Sequence, residues 1–372
     1  MTDLATMDVA GRIGRLRERF GEAGPDRSAI DALLVTTLTN IRYLTGFTGS
    51  AALLLVTGDD VLFVTDGRYR DQSAEQLAAA GVDARVEVSG TGQRELVSEA
   101  AAALGRVGLE AHGVTWSQQR SFDGQWFEHA SVVPTEHLVE GLRLVKDPGE
   151  RDRIAEACGI ADAALADVVG RLGGDISEAD FALELEWAMR RRGAEAVSFE
   201  PIVASGPNGA MPHARPGPRV IRPGELVVLD FGCKVEGYCS DMTRTVSVGE
   251  PAADARHMWD VVLASQEAGR AAVRSGVAAA DVDRACREVI EEAGWGDAFL
   301  HGTGHGVGLD IHEAPRVAAT SRDTLASGHV VTVEPGVYLT GIGGVRIEDT
   351  VVVTEGGCEV LTMTPRSLLV AG

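Results

Sequence analysis

The sequence predicts two domains of mixed helix and strand: an α/β first part of about 140 residues and an α+β second part in which a helix, helix, strand-pair unit occurs twice. Three observations lead there. The chain has 372 residues, against a usual size of roughly 150 per domain. Short β-rich runs alternate with helical stretches up to Val133, the pattern of an α/β layer. Beyond a polar stretch, Lys146-Asp147-Pro148-Gly149-Glu150, the order of elements repeats although no direct sequence repeat is visible.

Taken in order, Val9 to Ala23 carries Ile13, Leu16 and Phe20 at helical spacing among arginines, and Gly24-Pro25 ends it, so an amphipathic entry helix is expected. Strands follow at Ala32 to Val35, Ala51 to Val56 and Val61 to Thr65, then a helix from Gln72 that Gly81 stops. The polar stretch opens a long helix from Arg151 to about Leu172, which puts the domain division at 1–143 and 144–372. A second helix has Ser177 as its N-cap and Gly193 as its stop, and a strand pair covers 226–247. Helices at about 254–275 and 281–293, the latter stopped by Gly294, precede a second strand pair at about 329–353.

Composition narrows the function classes. Lys and Arg number 34 against 55 Asp and Glu, a net charge of −21, and such a field repels phosphate backbones and anionic headgroups. Nucleic acid and membranes are therefore not expected as partners. The early apolar runs are too short to span a bilayer, the first residues carry Asp3 in place of a basic leader, and five scattered cysteines form no C-x-x-C pair. A cytoplasmic protein without disulfides is expected. Glycine is the compositional outlier, at 45 residues, or about 12% where roughly 7% is usual.

Each strand pair carries two acids. Asp230 interrupts the apolar run Val227-Val228-Leu229-Asp230-Phe231, and Asp241 follows the Gly237 turn; Glu334 and Glu348 repeat the device. Aspartate is a poor strand former, and carboxylates brought side by side repel unless a cation sits between them. A solvent-facing strand end is the bland reading of any one acid, and it fails to explain four. The third element, His301-Gly302-Thr303-Gly304-His305-Gly306-Val307-Gly308-Leu309-Asp310-Ile311-His312-Glu313, holds three of nine histidines. Its alternating glycines forbid a stable helix and let backbone approach a compact site, which excludes the helical H-E-x-x-H zinc arrangement. One imidazole with four carboxylates suits hard or borderline divalent ions, Mn²⁺ foremost, with Co²⁺ or Zn²⁺ able to substitute. Four carboxylates balance two such ions, and Arg346 is placed to offset the charge of a bridging hydroxide.

The segments LDFG (229–232), SDMTRT (240–245), HGTGHGVGLDIHE (301–313), TVEPGVY (332–338) and GVRIED (344–349) resemble the metallopeptidases of the pita-bread fold, which include methionine aminopeptidase, aminopeptidase P and prolidase. NIRYLTGFTGS (40–50) and VTDGRYRDQ (64–72) resemble the extra creatinase/prolidase-type N-terminal domain of the Xaa-Pro branch. The resemblance implies a duplicated ααββ catalytic domain behind a smaller α/β domain. Two metal ions are then held by Asp230, Asp241, His305, Glu334 and Glu348, with Asp241 and Glu348 bridging. It further implies that His213, in SGPNGAMPHARP, and His312 contact the scissile peptide and its tetrahedral intermediate. His301, Arg346 and again His213 are implied as substrate-binding positions. The implied reaction is hydrolysis of the Xaa-Pro bond at the amino end of short proline-containing peptides or dipeptides. A metal-bridging hydroxide attacks the carbonyl, His312 donates to the oxyanion and Glu334 shuttles the proton to the leaving nitrogen. A homodimer is implied as well. Aminopeptidase P and prolidase share these motifs, and the reading leans to the former. The competing readings are a catalytically inactive protein of the same fold that binds peptides or partners, against which all five ligand positions stand; creatinase, which uses no metal and lacks this carboxylate set; and methionine aminopeptidase, which lacks the first 140 residues.

Overall fold

The computed structural model describes residues 4–371. It divides into two compact units, Met7–Arg143 on one side and the residues up to Thr6 with those from Leu144 onward on the other. Among the described residues no helix is long and apolar enough to cross a membrane, and all five cysteines are free.

In the Met7–Arg143 unit, six strands form one sheet: Arg85–Val88, Val61–Thr65, Ala52–Thr57, Ala32–Val35, Arg106–Glu110 and Ser131–Thr135, in that spatial order. Ala32–Val35 lies antiparallel to Ala52–Thr57 and parallel to Arg106–Glu110; it is fully buried, which suits its unbroken apolar run. The entry helix is shorter than its periodicity suggests, Arg12–Arg17 followed by a 3₁₀ turn at Phe20–Glu22. Gly11, Gly14 and Gly21 are the reason, since each costs about 1 kcal/mol of helix propensity relative to Ala. Ile13, Leu16 and Phe20 are nevertheless buried.

The second unit begins with a helix at Pro148–Val168, three residues ahead of the expected start. The polar stretch is its cap: Asp147 accepts from the Glu150 N–H while Glu150 accepts from the Asp147 N–H, and Pro148 takes the first helical position, where a missing N–H costs nothing. The helix Glu178–Arg191 follows, its N-cap Ser177 accepting from Asp180 N. Leu226–Phe231 then pairs antiparallel with Met242–Val248, with Asp230 opposite Thr243. Helices Ala253–Ala272 and Ala279–Glu292 precede the antiparallel pair Val330–Val333 and Asp349–Val353. The helix, helix, strand-pair order thus occurs twice. Each pair is interrupted by a hairpin, Cys233–Val235 with Tyr238–Cys239 in the first and Gly336–Leu339 with Gly343–Arg346 in the second. The first hairpin turns at Glu236-Gly237, both at positive φ, the conformation of a two-residue type I′ loop.

Strand alternation decides where the acids point. Val227, Leu229, Phe231, Met242, Val246 and Val248 pack into one core with the first two helices, while Val331, Val333, Val351 and Val353 pack into another with the last two. Side chains one residue out of phase lie on the opposite face. Asp230 lies within its strand, whereas Asp241, Glu334 and Glu348 each sit one residue beyond a strand end; all four are out of phase with those apolar positions, which turns them away from the helices. The two pairs are not geometric copies. Asp241 lies two residues from the partner of Asp230, a same-face diagonal, whereas continuing the register Val333 to Asp349 by one step sets Glu334 directly across from Glu348.

Candidate metal centre

The acid faces of the two strand pairs meet. Glu348 N–H donates to the Thr243 carbonyl across the junction (3.1 Å), and Thr243 Oγ1 donates to Glu348 Oε2 (2.7 Å). Asp230, Asp241 and Glu348 each offer an oxygen within 4.8 Å of the others. His305 Nε2 lies 3.6 Å from Asp241 Oδ2 and 3.4 Å from Glu334 Oε1. All five residues expected as ligands are therefore brought together.

Local sequence explains the approach of the histidine. His305 sits in the short strand Gly304–Gly306, where a Cβ on Gly304 would come within 2.1 Å of the Thr332 carbonyl oxygen and one on Gly306 within 2.2 Å of the Ala314 carbonyl oxygen. Only glycine permits backbone that close. His305 Nδ1 lies 3.0 Å from the Gly306 carbonyl, which can only accept, so in the neutral ring Nε2 keeps its lone pair toward the acids. The His305 N–H donates to Thr332 Oγ1 (3.1 Å), which donates to Glu334 Oε1 (3.2 Å).

Each acid on the Arg346 side is held by one oxygen and offers the other. Arg346 Nη2 donates to Asp230 Oδ2 (2.6 Å) and its Nε to Thr243 Oγ1 (3.0 Å). The remaining oxygens, Asp230 Oδ1 and Glu348 Oε1, are buried without a hydrogen-bond partner. Burial, reinforced by Glu348, Asp230 and Glu334, pushes the Asp241 carboxyl far above its ordinary value, and burial with Glu334 and Asp230 does the same to Glu348. Glu334 is pushed up to about 7, chiefly by burial, with Arg346 opposing and Asp230 adding. Burial works against the Arg346 cation, but Tyr338, Asp230 and Glu334 outweigh it and keep the guanidinium charged. One cation facing four carboxylates leaves a cluster that repels itself, a penalty that bound cations remove.

The other expected site residues surround this cluster. His301 Nε2 lies 2.8 Å from the Tyr338 hydroxyl, which accepts from Arg346 Nη1 (2.7 Å). Burial holds the His301 imidazole down at about 4. The exposed ring of His312 stands edge-on to His305, centroids 4.4 Å apart. His213 is exposed and follows Pro212, whose carbonyl accepts from Arg346 Nη1 (3.3 Å). Thr243, Thr332 and Tyr338 were not singled out from the sequence, although each lies inside a quoted motif; for the two threonines, a hydroxyl two residues from Asp241 or Glu334 is the signal available. Asp283 was missed as well: fully buried, it accepts from the N–H and Oγ1 of Thr303 (3.0 Å each), and the Thr303 carbonyl accepts from Glu334 N–H (2.7 Å).

The family model described as "Metallopeptidase family M24" matches residues 152–355, and "Creatinase/Prolidase N-terminal domain" matches residues 12–145. The chain belongs to metallopeptidase family M24. This M24 chain is 34% identical to the Xaa-Pro dipeptidase of Pyrococcus furiosus, over 92% of its own length and 97% of that protein. Among solved structures it resembles the Xaa-Pro dipeptidase from Bacillus anthracis, with a TM-score of 0.92 and 39% identity over 97% of this chain and 99% of that one. It likewise resembles the X-Pro aminopeptidase from Thermotoga maritima MSB8, with a TM-score of 0.85 and 35% identity over 92% and 97%. The expected fold, a pita-bread catalytic domain with a creatinase/prolidase-type N-terminal domain, is the one found. The M24 protein is a hydrolase of the metallopeptidase class, and its family implies divalent metal ions and peptide substrates.

Proposed function

We propose that the protein hydrolyses the Xaa-Pro bond at the amino end of short peptides, using two divalent cations per chain held by Asp230, Asp241, His305, Glu334 and Glu348. The observation that carries this reading is the pair of buried, unpartnered oxygens, Asp230 Oδ1 and Glu348 Oε1, in a set of four carboxylates and one correctly presented imidazole. These donors fit hard or borderline ions, Mn²⁺ first and Co²⁺ or Zn²⁺ as substitutes. When bound, such ions supply a water acidic enough to be hydroxide near neutrality and an electrophile for the peptide carbonyl.

The chain's own residues do the rest. Glu334 takes the proton of the attacking water and returns it to the leaving nitrogen. In an Xaa-Pro bond that nitrogen belongs to a ring and carries no hydrogen, so it departs only when protonated. His312, exposed beside His305, donates to the developing oxyanion. His213 binds the peptide next to the Pro212 carbonyl that Arg346 fixes, and His301 and Arg346, joined through Tyr338, form a further wall of the substrate site. In this reading the protein is cytoplasmic and works as a homodimer, and light scattering of the purified protein tests the dimer.

The names of the Pyrococcus furiosus and Bacillus anthracis proteins favour a dipeptidase, and that of the Thermotoga maritima structure favours aminopeptidase P. The deciding assay compares kcat/KM of the Mn²⁺-loaded protein on Ala-Pro, Ala-Pro-Ala and Met-Ala-Ser. Turnover of either proline peptide with little on Met-Ala-Ser is expected. A strong preference for Ala-Pro makes the protein a dipeptidase, and efficient turnover of Met-Ala-Ser regardless of proline overturns the Xaa-Pro assignment.

A further inference from the structure

Glu178 is fully buried at the first position of the helix Glu178–Arg191, and no step of the reaction above uses it. Its carboxylate grips both ends of one loop. Oε1 accepts from Ser205 N–H and Ser205 Oγ (2.7 Å each) and from Asn208 Nδ2 (3.1 Å). Oε2 accepts from Asn208 Nδ2 (3.0 Å) and Gly217 N–H (3.4 Å). The helix start adds two backbone bonds to the far end of the loop, Glu178 N–H to the Arg219 carbonyl (2.9 Å) and Ala179 N–H to the Gly217 carbonyl (3.0 Å). Between Ser205 and Gly217 run the eleven residues that carry Pro212 and His213.

The middle of the loop is seated on backbone rather than on side chains. A Cβ on Gly344 would come within 2.0 Å of the Gly209 carbonyl oxygen, and one on Gly343 within 2.9 Å of the Gly206 carbonyl oxygen. The hairpin bearing those glycines also bears Tyr338 and Arg346. A buried carboxylate costs several kcal/mol to desolvate unless hydrogen bonds replace the lost water, and here every donor comes from the loop. Helix polarity favours an anion at this position as well. A carboxylate so fully committed to one loop fixes the loop's path more firmly than an apolar residue of equal size.

We propose that Glu178 is a positioning residue for substrate binding: it sets the path of the 205–217 loop and so the placement of His213 against the peptide. The assignment rests on the substrate-contacting role of His213 given above. Glu178→Gln keeps the shape but turns one acceptor into an N–H facing donors, and Asn208→Ala removes the side chain that bridges both carboxylate oxygens. Each variant is made alone and combined with His213→Ala, and kcat/KM on Ala-Pro is measured with Mn²⁺ content and Tm. The expected result is a loss of roughly 10- to 100-fold for Glu178→Gln, the scale of small misplacements. A smaller loss is expected for Asn208→Ala, and either variant costs nothing further once His213 is already Ala. Mn²⁺ content stays the same, because the loop carries none of the five ligand positions. Should Glu178→Gln fail to fold, the Asn208→Ala cycle decides by the same criterion. Full additivity with His213→Ala, or unchanged kcat/KM in a folded variant, overturns the proposal while leaving the role of His213 intact. Full activity of His213→Ala alone overturns that role and the proposal with it.

Discussion

Lys146 and Glu313 form an ion pair at 3.0 Å whose side chains are 1% and 7% exposed, and replacing Lys146 by Met is expected to be among the most destabilising single changes in the catalytic unit. A pair this deep differs from a surface pair because removing one partner strands a charge away from water, which costs about 3–5 kcal/mol against the ~0.2–1 kcal/mol of an exposed pair. Glu313 keeps the Asp310 N–H (3.0 Å) but loses the Lys146 ammonium. In a unit of roughly 230 residues each kcal/mol moves Tm by about 2–4 °C, so a fall of roughly 6–20 °C is expected for the metal-free protein followed by near-ultraviolet circular dichroism. The consequence reaches the site, since Glu313 lies under the loop between His305 and His312: a Cβ on Gly308 would come within 2.6 Å of both its oxygens. Lys146→Met/Glu313→Gln, which removes the second buried charge as well, should recover most of the loss. A fall in stability below about 1 kcal/mol for the single variant, or a double variant no better than the single, refutes the reasoning.

Asp241→Asn or Glu348→Gln should lower Mn²⁺ content from about two ions per chain to one or fewer and leave less than about a hundredth of the activity, because each removes an acid expected to serve both ions in the proposed reading; elemental analysis beside the Ala-Pro assay checks it. Gly304→Ala, with its Cβ forced within 2.1 Å of backbone oxygen, should displace His305 and cost about 1–3 kcal/mol of stability or more, together with a measurable loss of Mn²⁺ affinity by calorimetry. His329 is buried, and that burial, with the charge of Lys146 adding and Asp323 opposing, holds its imidazole down at about 4. Its folded value lies below the ordinary ~6.5, so its contribution to stability is complete above about pH 6.5 and is lost as the pH falls toward 4. His329→Asn, which keeps an acceptor for the Ala326 N–H (3.2 Å), should flatten the stability profile in that window, and identical slopes for the two proteins count against the assignment.

What could be read from the sequence follows the reach of each interaction. Alternation within a strand is local, so the four acids, set among valines and leucines at the wrong phase for the core, announced both their strands and a shared face before any tertiary contact was known. The glycines around His305 were equally telling, because Gly304 and Gly306 each exclude a side chain where backbone from elsewhere must pass. The start of the helix at Pro148 was legible too, in the Asp147 and Glu150 capping pair with proline between them, although the polar stretch alone suggests a start only at Arg151. The diagonal set of Asp230 and Asp241 against the direct opposition of Glu334 and Glu348 depends on ladder register, which a hairpin inserted in each pair conceals. Glu178 lies further out of reach. At the first turn of a helix an acid is fully accounted for by the helix dipole, and nothing nearby in sequence shows that its oxygens are spent on Ser205, Asn208 and Gly217. Sequence therefore exposes the residues whose type is anomalous for their element, acids in strands and glycines without turns. It hides those whose type is ordinary and whose partners are distant. The clustered acids and His305 fall in the first class and Glu178 in the second, so the cluster was open to inference from the chain alone while the hold of Glu178 on the 205–217 loop emerged only from the folded structure.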